Sequence, residues 1–170
     1  KKSEKHKNLF LFFLYGWLFG FGYFATNLYW ISISLTFDSN FKFLIPFTFF
    51  FIPAFLAIFY GLVTCFFRRF KTISAAGSFL TFSLFFAVLE FLRGSILTGF
   101  PWNLIAYSFS NFLEILSITS ILGTYAFNLF CISLFTMPAI FFISLKKKDI
   151  SIGVLVLIIA ISFYIYGLSY

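Results

Sequence analysis

The sequence predicts an all-α membrane protein, a polytopic bundle of transmembrane helices. Hydrophobic residues make up 62% of the 170 positions, charged residues only 10%, and the mean hydropathy is +1.04. A soluble globular protein carries roughly 25% charged residues. A soluble chain of this length would also need a polar exterior that five acidic and twelve basic residues cannot supply. We therefore expect lipid to cover much of the surface.

Five apolar runs are long enough to cross roughly 30 Å of hydrocarbon as helices. In chain order, the predicted spans are Leu9–Thr36, Phe43–Phe67, Ile73–Leu97, Ile118–Leu145 and Ile150–Tyr170. The first and fourth exceed the minimum length, which predicts tilting, kinks or interfacial helices there. Candidate kink sites are Pro46, Pro53 and Pro138. No linker or repeat divides residues 1–170, so we expect a single transmembrane domain. A secretory signal peptide does not fit the first run, which is too long and lacks a cleavage site.

Basic residues are concentrated in alternate connections between the predicted spans. Ten of the twelve fall in three clusters, which are Lys1, Lys2, Lys5 and Lys7, then Arg68, Arg69 and Lys71, then Lys146, Lys147 and Lys148. Only Lys42 and Arg93 fall on the other side. Because positive residues near membrane ends stay cytoplasmic, we expect a cytoplasmic N-terminus and an extracytoplasmic C-terminus. This spacing explains the net charge of +7 better than nucleic-acid binding does.

The sequence predicts no metal site and no cofactor. His6, the single histidine, lies in the lysine-rich leader. Cys65 and Cys131 fall in different spans without CxxC spacing or a nearby histidine, so small packing residues describe them better than ligands or nucleophiles.

A glycine-rich stretch in the first span predicts close helix packing. Residues Gly20–Ala25 match the dinucleotide pattern GxGxxA, but that motif requires a strand before it and a helix after it. Here the stretch lies inside a span. Together with Gly16, the glycines Gly20 and Gly22 are typical of a face on which two membrane helices approach closely.

The end of the third span is chemically different from the rest of the chain. Glu90 is about 24 Å along a helix that starts near Ser74, and its i, i+3 spacing to Arg93 allows an ion pair. A structural ion pair is one interpretation. The other is a ligand site, because Gly94, Gly99 and Pro101 interrupt the helix at membrane depth, where irregular backbone must be buried or line a wet cavity.

Two aromatic residues follow this interruption. Trp102 and Tyr107 have amphipathic rings suited to the headgroup level. They fit ordinary interfacial anchors and the walls of a lipid-binding cleft equally well, and the residues alone leave both readings open.

These motifs together resemble the membrane domain of bacterial apolipoprotein N-acyltransferases. The resemblance is carried by Glu90–Gly94, by Leu97–Trp102 and by Tyr107 with Ser108, and it extends over nearly the whole chain. Residues 20–22, followed by 27–31, are similar to a span of that family with a Trp near its outer end. The sequence departs from the family at Ser95, where a bulky aromatic is common, and residues 103–106 match more loosely.

The resemblance implies an enzyme of lipoprotein maturation in the bacterial cytoplasmic (inner) membrane. Such an enzyme moves a fatty acyl chain from a membrane phospholipid to the N-terminal amine of a diacylglyceryl-cysteine in an apolipoprotein. The family's nucleophilic Cys, with its Glu base and Lys partner, forms a thioester in a nitrilase-like domain outside the membrane. No catalytic residue is assigned here, and neither Cys65 nor Cys131 inherits that role. We expect two further spans before residue 1 and the catalytic domain after residue 170, and an isolated chain without activity.

The resemblance also implies a lipid-binding cleft at the outer mouth of the bundle. Its expected residues are Glu90, Arg93, Thr98, Gly99, Phe100, Pro101, Trp102 and Tyr107, with Asn27 and Trp30 contributed by the first span. The alternative is a non-enzymatic membrane transport or lipid-handling module whose interrupted segment is its binding site. A plain membrane anchor is the simplest alternative. About 250 further residues of soluble α/β pattern beyond residue 170 would favour the enzyme.

Overall fold

The computed structural model describes residues 2–96, 101–144 and 146–169, with side chains from Leu9 onward. Over these ranges every regular element is helical, which confirms the all-α prediction. The α-helices are α1 (Lys2–Asn27), α2 (Tyr29–Ser34), α3 (Ile45–Phe70), α4 (Ala75–Ser95), α5 (Leu113–Leu116), α6 (Thr119–Leu122), α7 (Thr124–Thr136), α8 (Pro138–Ile143) and α9 (Lys147–Ser169). Two 3₁₀ helices cover Ser39–Leu44 and Ile105–Phe109.

Five helical segments are long and apolar enough to cross a membrane, as the sequence predicts. They are Leu9–Asn27, Ser39–Phe70, Ala75–Ser95, Thr124–Ile143 and Lys147–Ser169. The predicted interruption after the third span includes residues 97–100, which lie outside the described residues. It therefore stays a prediction.

Two of the predicted spans are shorter in the structure. The first ends at Asn27, and the chain resumes as α2 only at Tyr29. The Asn27 side-chain amide donates a hydrogen bond to the carbonyl of Tyr23 at 2.7 Å, the local competition with backbone bonding that makes Asn a poor interior helix residue. The fourth span starts at Thr124, because Gly123 adopts a positive φ of 75° that separates α6 from α7.

The three prolines have different positions. Pro46 lies in the first turn of α3, where its missing N–H costs nothing. Pro53 lies inside α3, which is assigned as a continuous helix. Pro138 follows the break at Met137 and starts α8, so it marks a true interruption of the fourth span.

The first compact unit is Lys1–Arg69, in which α1 packs against α3. A Cβ placed on Gly16 would overlap the Tyr60 carbonyl oxygen and the Thr64 side chain, and one on Gly20 would lie 2.9 Å from the Tyr60 Cβ. These two glycines therefore form the predicted close-packing face. Gly22 does not belong to it, since nothing lies within 4 Å of an added Cβ there. It is two residues from Gly20, a spacing that leaves the contacting face of a helix.

Within its described residues, the second compact unit, Phe70–Tyr170, contains two apolar clusters. The first cluster contains Leu104, Ala106, Ile118, Phe127 and Cys131. The second cluster contains Phe79, Met137, Ile140 and Val156. The first cluster joins the connection between α4 and α7 to the C-terminal half of α9. The second cluster joins α4 and α8 to the N-terminal half of α9.

A buried carboxylate fastens the N-terminal end of α4. Asp149, in the first turn of α9, is 4% exposed. Its Oδ1 accepts the backbone N–H of Ala76 at 3.1 Å, and its Oδ2 accepts the Ser144 hydroxyl at 2.6 Å. The carboxylate satisfies an orphan donor at the start of α4 and meets the positive end of the helix dipole. The start of α4, the end of α8 and the start of α9 are thus joined beside the last lysine cluster.

Gly20→Ala is expected to lower the free energy of unfolding by about 1–3 kcal/mol, because the added methyl would press on Tyr60 and on the Ala57 backbone. Gly22→Ala is the matched control on the same helix and is expected to leave stability unchanged or slightly raised. Unfolding in mixed micelles of rising denaturing-detergent content measures both. Equal effects at the two positions would contradict the packing described.

Candidate functional site

The site begins with two charged residues on one face of α4. Glu90 and Arg93 are 1% and 2% exposed, so both are withdrawn from solvent and lipid. The Arg93 Nη2 lies 3.7 Å from the Glu90 Oε1. The i, i+3 spacing places both side chains on the same side of the helix, as the sequence predicts.

Two further segments meet this ion pair. The Arg93 Nη1 donates a hydrogen bond to the carbonyl of Trp102 at 2.9 Å. Asn128, fully buried on α7, donates from its Nδ2 to the Glu90 Oε2, and its Oδ1 accepts the backbone N–H of Ala106 at 2.9 Å. We call Glu90, Arg93 and Asn128 the polar cluster. It joins α4, α7 and the connection between them.

The polar cluster compensates for charge placed at membrane depth. An ionisable group inside a span costs at least a few kcal/mol, and a buried charge is tolerated when it is paired and hydrogen-bonded. The Glu90 carboxylate receives Arg93 on one oxygen and Asn128 on the other. The Arg93 guanidinium and the Asn128 amide each also hydrogen-bond to the backbone of the connection between α4 and α7. The polar cluster therefore attaches this connection to both helices.

A glycine lets α7 come close to the polar cluster. A Cβ on Gly94 would overlap the hydroxyl of Tyr125 and would lie 3.5 Å from the Cα of Pro101. The Tyr125 ring also stacks edge-on against Phe91, with ring centroids 5.0 Å apart. Gly94 is therefore required by the approach of Tyr125 and the returning chain.

The connection turns sharply after Pro101. Asn103 has a positive φ of 57°, a conformation that Asn adopts more readily than most residues. The chain then enters the 3₁₀ helix Ile105–Phe109 with Leu104 and Ala106 each 1% exposed. The turn directs these two side chains inward and leaves Trp102 and Tyr107 half-exposed.

The structure brings together part of the predicted site. Glu90, Arg93, Pro101, Trp102 and Tyr107 all belong to the second unit, and the Trp102 backbone contacts Arg93 directly. The expected residues Thr98, Gly99 and Phe100 lie outside the described residues.

Asn27 and Trp30 belong to the first unit. Asn27 is exposed and bonds to its own helix at Tyr23, while Trp30 lies on α2, beyond the end of α1. Their expected role at the same opening stays a prediction.

The sequence interpretation missed Asn128, which completes the polar cluster. The signal was present, since a lone amide in an apolar membrane helix usually hydrogen-bonds across helices. It also missed Asp149. Because this residue directly follows Lys146, Lys147 and Lys148, the sequence alone suggests a charged loop rather than a buried helix cap.

The side chains of the polar cluster contact one another and the backbone of the connection between α4 and α7. Cys131, one turn after Asn128, is 0% exposed in the first apolar cluster, where a substrate has no access to its thiol. Among the described residues near the polar cluster, the aromatic rings of Trp102 and Tyr107 are exposed.

Replacing Asn128 with Asp is expected to lower the free energy of unfolding by about 3 kcal/mol or more, because two carboxylates would be buried side by side. Adding Glu90→Gln to that variant should recover at least about 1 kcal/mol, since the pair again has one carboxylate and one amide. Detergent unfolding of wild type, both single variants and the double variant measures the coupling.

Asn40→Asp is the control for this cycle, because it makes the same chemical change at an exposed position between the charged residues Asp38 and Lys42 and should shift stability by less than about 0.5 kcal/mol. Additive effects of the Asn128 and Glu90 substitutions would contradict the direct bond between them.

Comparison with known proteins gives a consistent result. The family model for the apolipoprotein N-acyltransferase N-terminal domain matches residues 3–137. The apolipoprotein N-acyltransferase of Rhizobium etli (strain CIAT 652) is 37% identical over 130 residues, which are 76% of this chain and 24% of that protein. The protein of the same name from Brucella melitensis biotype 1 is 36% identical over 126 residues, 74% of this chain and 24% of its own length.

A third relative, the apolipoprotein N-acyltransferase of Rickettsia bellii (strain RML369-C), is 37% identical over 122 residues, covering 71% of this chain and 24% of the relative. The chain thus spans about a quarter of the length of the curated relatives it matches. No solved structure matches it.

Proposed function

Because this chain belongs to the apolipoprotein N-acyltransferase N-terminal domain family, we propose that it is the membrane portion of an enzyme of lipoprotein maturation. The reaction proposed for the whole enzyme moves an acyl chain from a membrane phospholipid to the N-terminal amine of a diacylglyceryl-cysteine. The observation that carries the proposal is the family match over residues 3–137, which includes the whole polar cluster. The match also favours an acyltransferase over the transport or lipid-handling alternative.

The geometry supports a role for the connection after α4 as the wall of a lipid path. Trp102 and Tyr107 are 48% and 44% exposed, yet the backbone beneath them is held by Arg93 and Asn128. Exposed amphipathic rings on a fixed backbone suit contact with a phospholipid headgroup or the first part of its acyl chain. Glu90 and Arg93 act on substrate only through that backbone, as positioning residues. The undescribed residues Thr98, Gly99 and Phe100 are proposed to line the same path, with Asn27 and Trp30 at its edge.

The acyl-transfer step itself is proposed to use a thiol outside these spans. A thioester intermediate divides one difficult acyl transfer into two easier ones, and its thiol needs an adjacent base. Cys131 is completely buried among apolar side chains, and the thiol of Cys65 donates to the carbonyl of Leu9 at 3.4 Å. Neither arrangement provides a base. We therefore expect no acyltransferase activity from residues 1–170 alone.

We place the chain in a bacterial cytoplasmic membrane with its lysine-rich N-terminus inside. Ten of the twelve basic residues lie in the three connections assigned to that side. In this orientation the polar cluster lies toward the extracytoplasmic leaflet, because α4 runs about 27 Å from Ala75 to Arg93. The acceptor, a membrane-anchored apolipoprotein, would approach from the same side.

The full-length gene product, reconstituted with phospholipid and a diacylglyceryl-cysteine peptide, is expected to N-acylate the peptide, as mass spectrometry would show. Trp102→Ala should reduce turnover at limiting phospholipid by about tenfold, the effect of about 1.4 kcal/mol lost in donor contacts. Arg93→Ala should reduce it further, because the connection would lose an anchor as well as leave Glu90 uncompensated.

Phe142→Ala is the matched control, since Phe142 is 91% exposed on α8 and is assigned to the opposite end of the bundle. It should leave turnover unchanged. Absence of acylation by the wild-type protein would overturn the proposed function. Normal donor kinetics in Trp102→Ala would overturn only the role given to this residue.

A further inference from the structure

The connection between α4 and α7 exposes apolar side chains that a water-facing loop would conceal. Phe112, Leu113 and Ile121 are 52%, 74% and 63% exposed, and Leu122 is 41% exposed. They lie on and beside the short helices α5 and α6, which begin without a side-chain cap hydrogen bond. We call these four residues the apolar patch.

The contacts of α9 give the depth of this connection. The position that a Cβ of Gly167 would take is occupied by the carbonyl group of Glu114, so α5 packs directly on the α9 backbone there. Gly167 is about 29 Å along the helix from Lys148, within the roughly 30 Å of hydrocarbon that a span crosses. Any tilt of α9 brings this level deeper. The helix α5 therefore lies level with the last turn of a membrane span rather than above it.

The first apolar cluster lies deeper still. Phe163 and Tyr166 of α9 pack against the cluster that contains Leu104, Ala106 and Ile118. Phe163 is about 22 Å from Lys148 along the axis. The residues on either side of the 3₁₀ helix Ile105–Phe109 are thus packed at a level that belongs to the bilayer.

The hydrogen bonds of the connection fit this depth. Within hydrocarbon, irregular backbone is tolerated only where protein groups satisfy it. The N–H of Ala106 is taken by Asn128 and the carbonyl of Trp102 by Arg93, both from buried side chains of neighbouring helices. A backbone group buried in protein needs such a partner, and at this depth the bilayer could not supply one.

We propose that residues 104–122 lie inside the membrane, in the leaflet opposite the lysine clusters, with the apolar patch in contact with phospholipid acyl chains. Side chains of the polar cluster form hydrogen bonds to the backbone that acyl chains cannot form. The side chains of the apolar patch contact those acyl chains. This inference depends on the membrane spans alone and holds whether or not the protein is an acyltransferase.

The test uses spin labels on the full-length protein in vesicles of phosphatidylethanolamine and phosphatidylglycerol. Single cysteines replace Leu113 or Ile121. Cys65 and every accessible cysteine outside residues 1–170 are changed to Ala, and the inaccessible Cys131 is retained. Two reference labels replace Ile158, which is 53% exposed in the middle of α9, and Lys71, which is exposed in a charged connection. Collision with dissolved oxygen reports lipid, and collision with a water-soluble nickel chelate reports water.

Labels at 113 and 121 are expected to resemble the label at 158, with an oxygen-to-nickel collision ratio several-fold higher than at 71. A ratio equal to that at 71 would place the connection in water and overturn the proposal. Low collision with both reagents would show that another part of the protein covers the apolar patch, which also overturns it. Both substituted side chains are exposed, so loss of folding is not expected, and the sharp centre-field line of an unfolded label would reveal it. The acylation assay on the unlabelled wild-type protein tests the proposed function separately.

Discussion

The second unit depends on one constraint, that backbone groups withdrawn from water must find partners within the protein. Helices meet this constraint by themselves, but the described part of the connection, residues 101–123, is not one regular helix. Arg93 and Asn128 provide what it lacks, one as a donor to a carbonyl and the other as an acceptor from an N–H. Each also binds Glu90, so the three side chains cannot be removed one at a time without leaving a buried polar group uncompensated.

A buried carboxylate that accepts hydrogen bonds holds each end of α4 in place. At its start, the Asp149 carboxylate accepts the Ala76 N–H and belongs to another helix. Near its end, Glu90 accepts from Asn128 and pairs with Arg93. Between these points the buried residues include Phe79, Phe86 and Leu89, and the Ser83 hydroxyl lies 3.5 Å from the Thr136 hydroxyl of α7. Lipid provides no hydrophobic drive for helix association, so these polar contacts along α4 orient it against α7 and α9.

Much of this arrangement was predictable from local sequence, and the rest was not for physical reasons. Hydropathy predicts the five spans because crossing hydrocarbon needs about 20 apolar residues whatever the neighbours are. The i, i+3 spacing predicts the meeting of Glu90 with Arg93 because both belong to one helix. The partnership of Asn128 with Ala106 depends on the packing of two elements 22 residues apart, which no local pattern encodes. Similarly, helix spacing places Gly20 and Gly22 on different faces of α1, but only the position of α3 shows which face is packed.

Slow exchange of one backbone amide would test the central role of the polar cluster most directly. In lipid nanodiscs, the Ala106 N–H is expected to resist hydrogen–deuterium exchange in the wild-type protein and to exchange much faster in Asn128→Leu, which removes its acceptor. The Ser110 N–H, bonded to the Tyr107 carbonyl at 3.0 Å, provides an internal reference that should change less. Fast exchange of the Ala106 amide in the wild type, or equal protection in Asn128→Leu, would contradict the account.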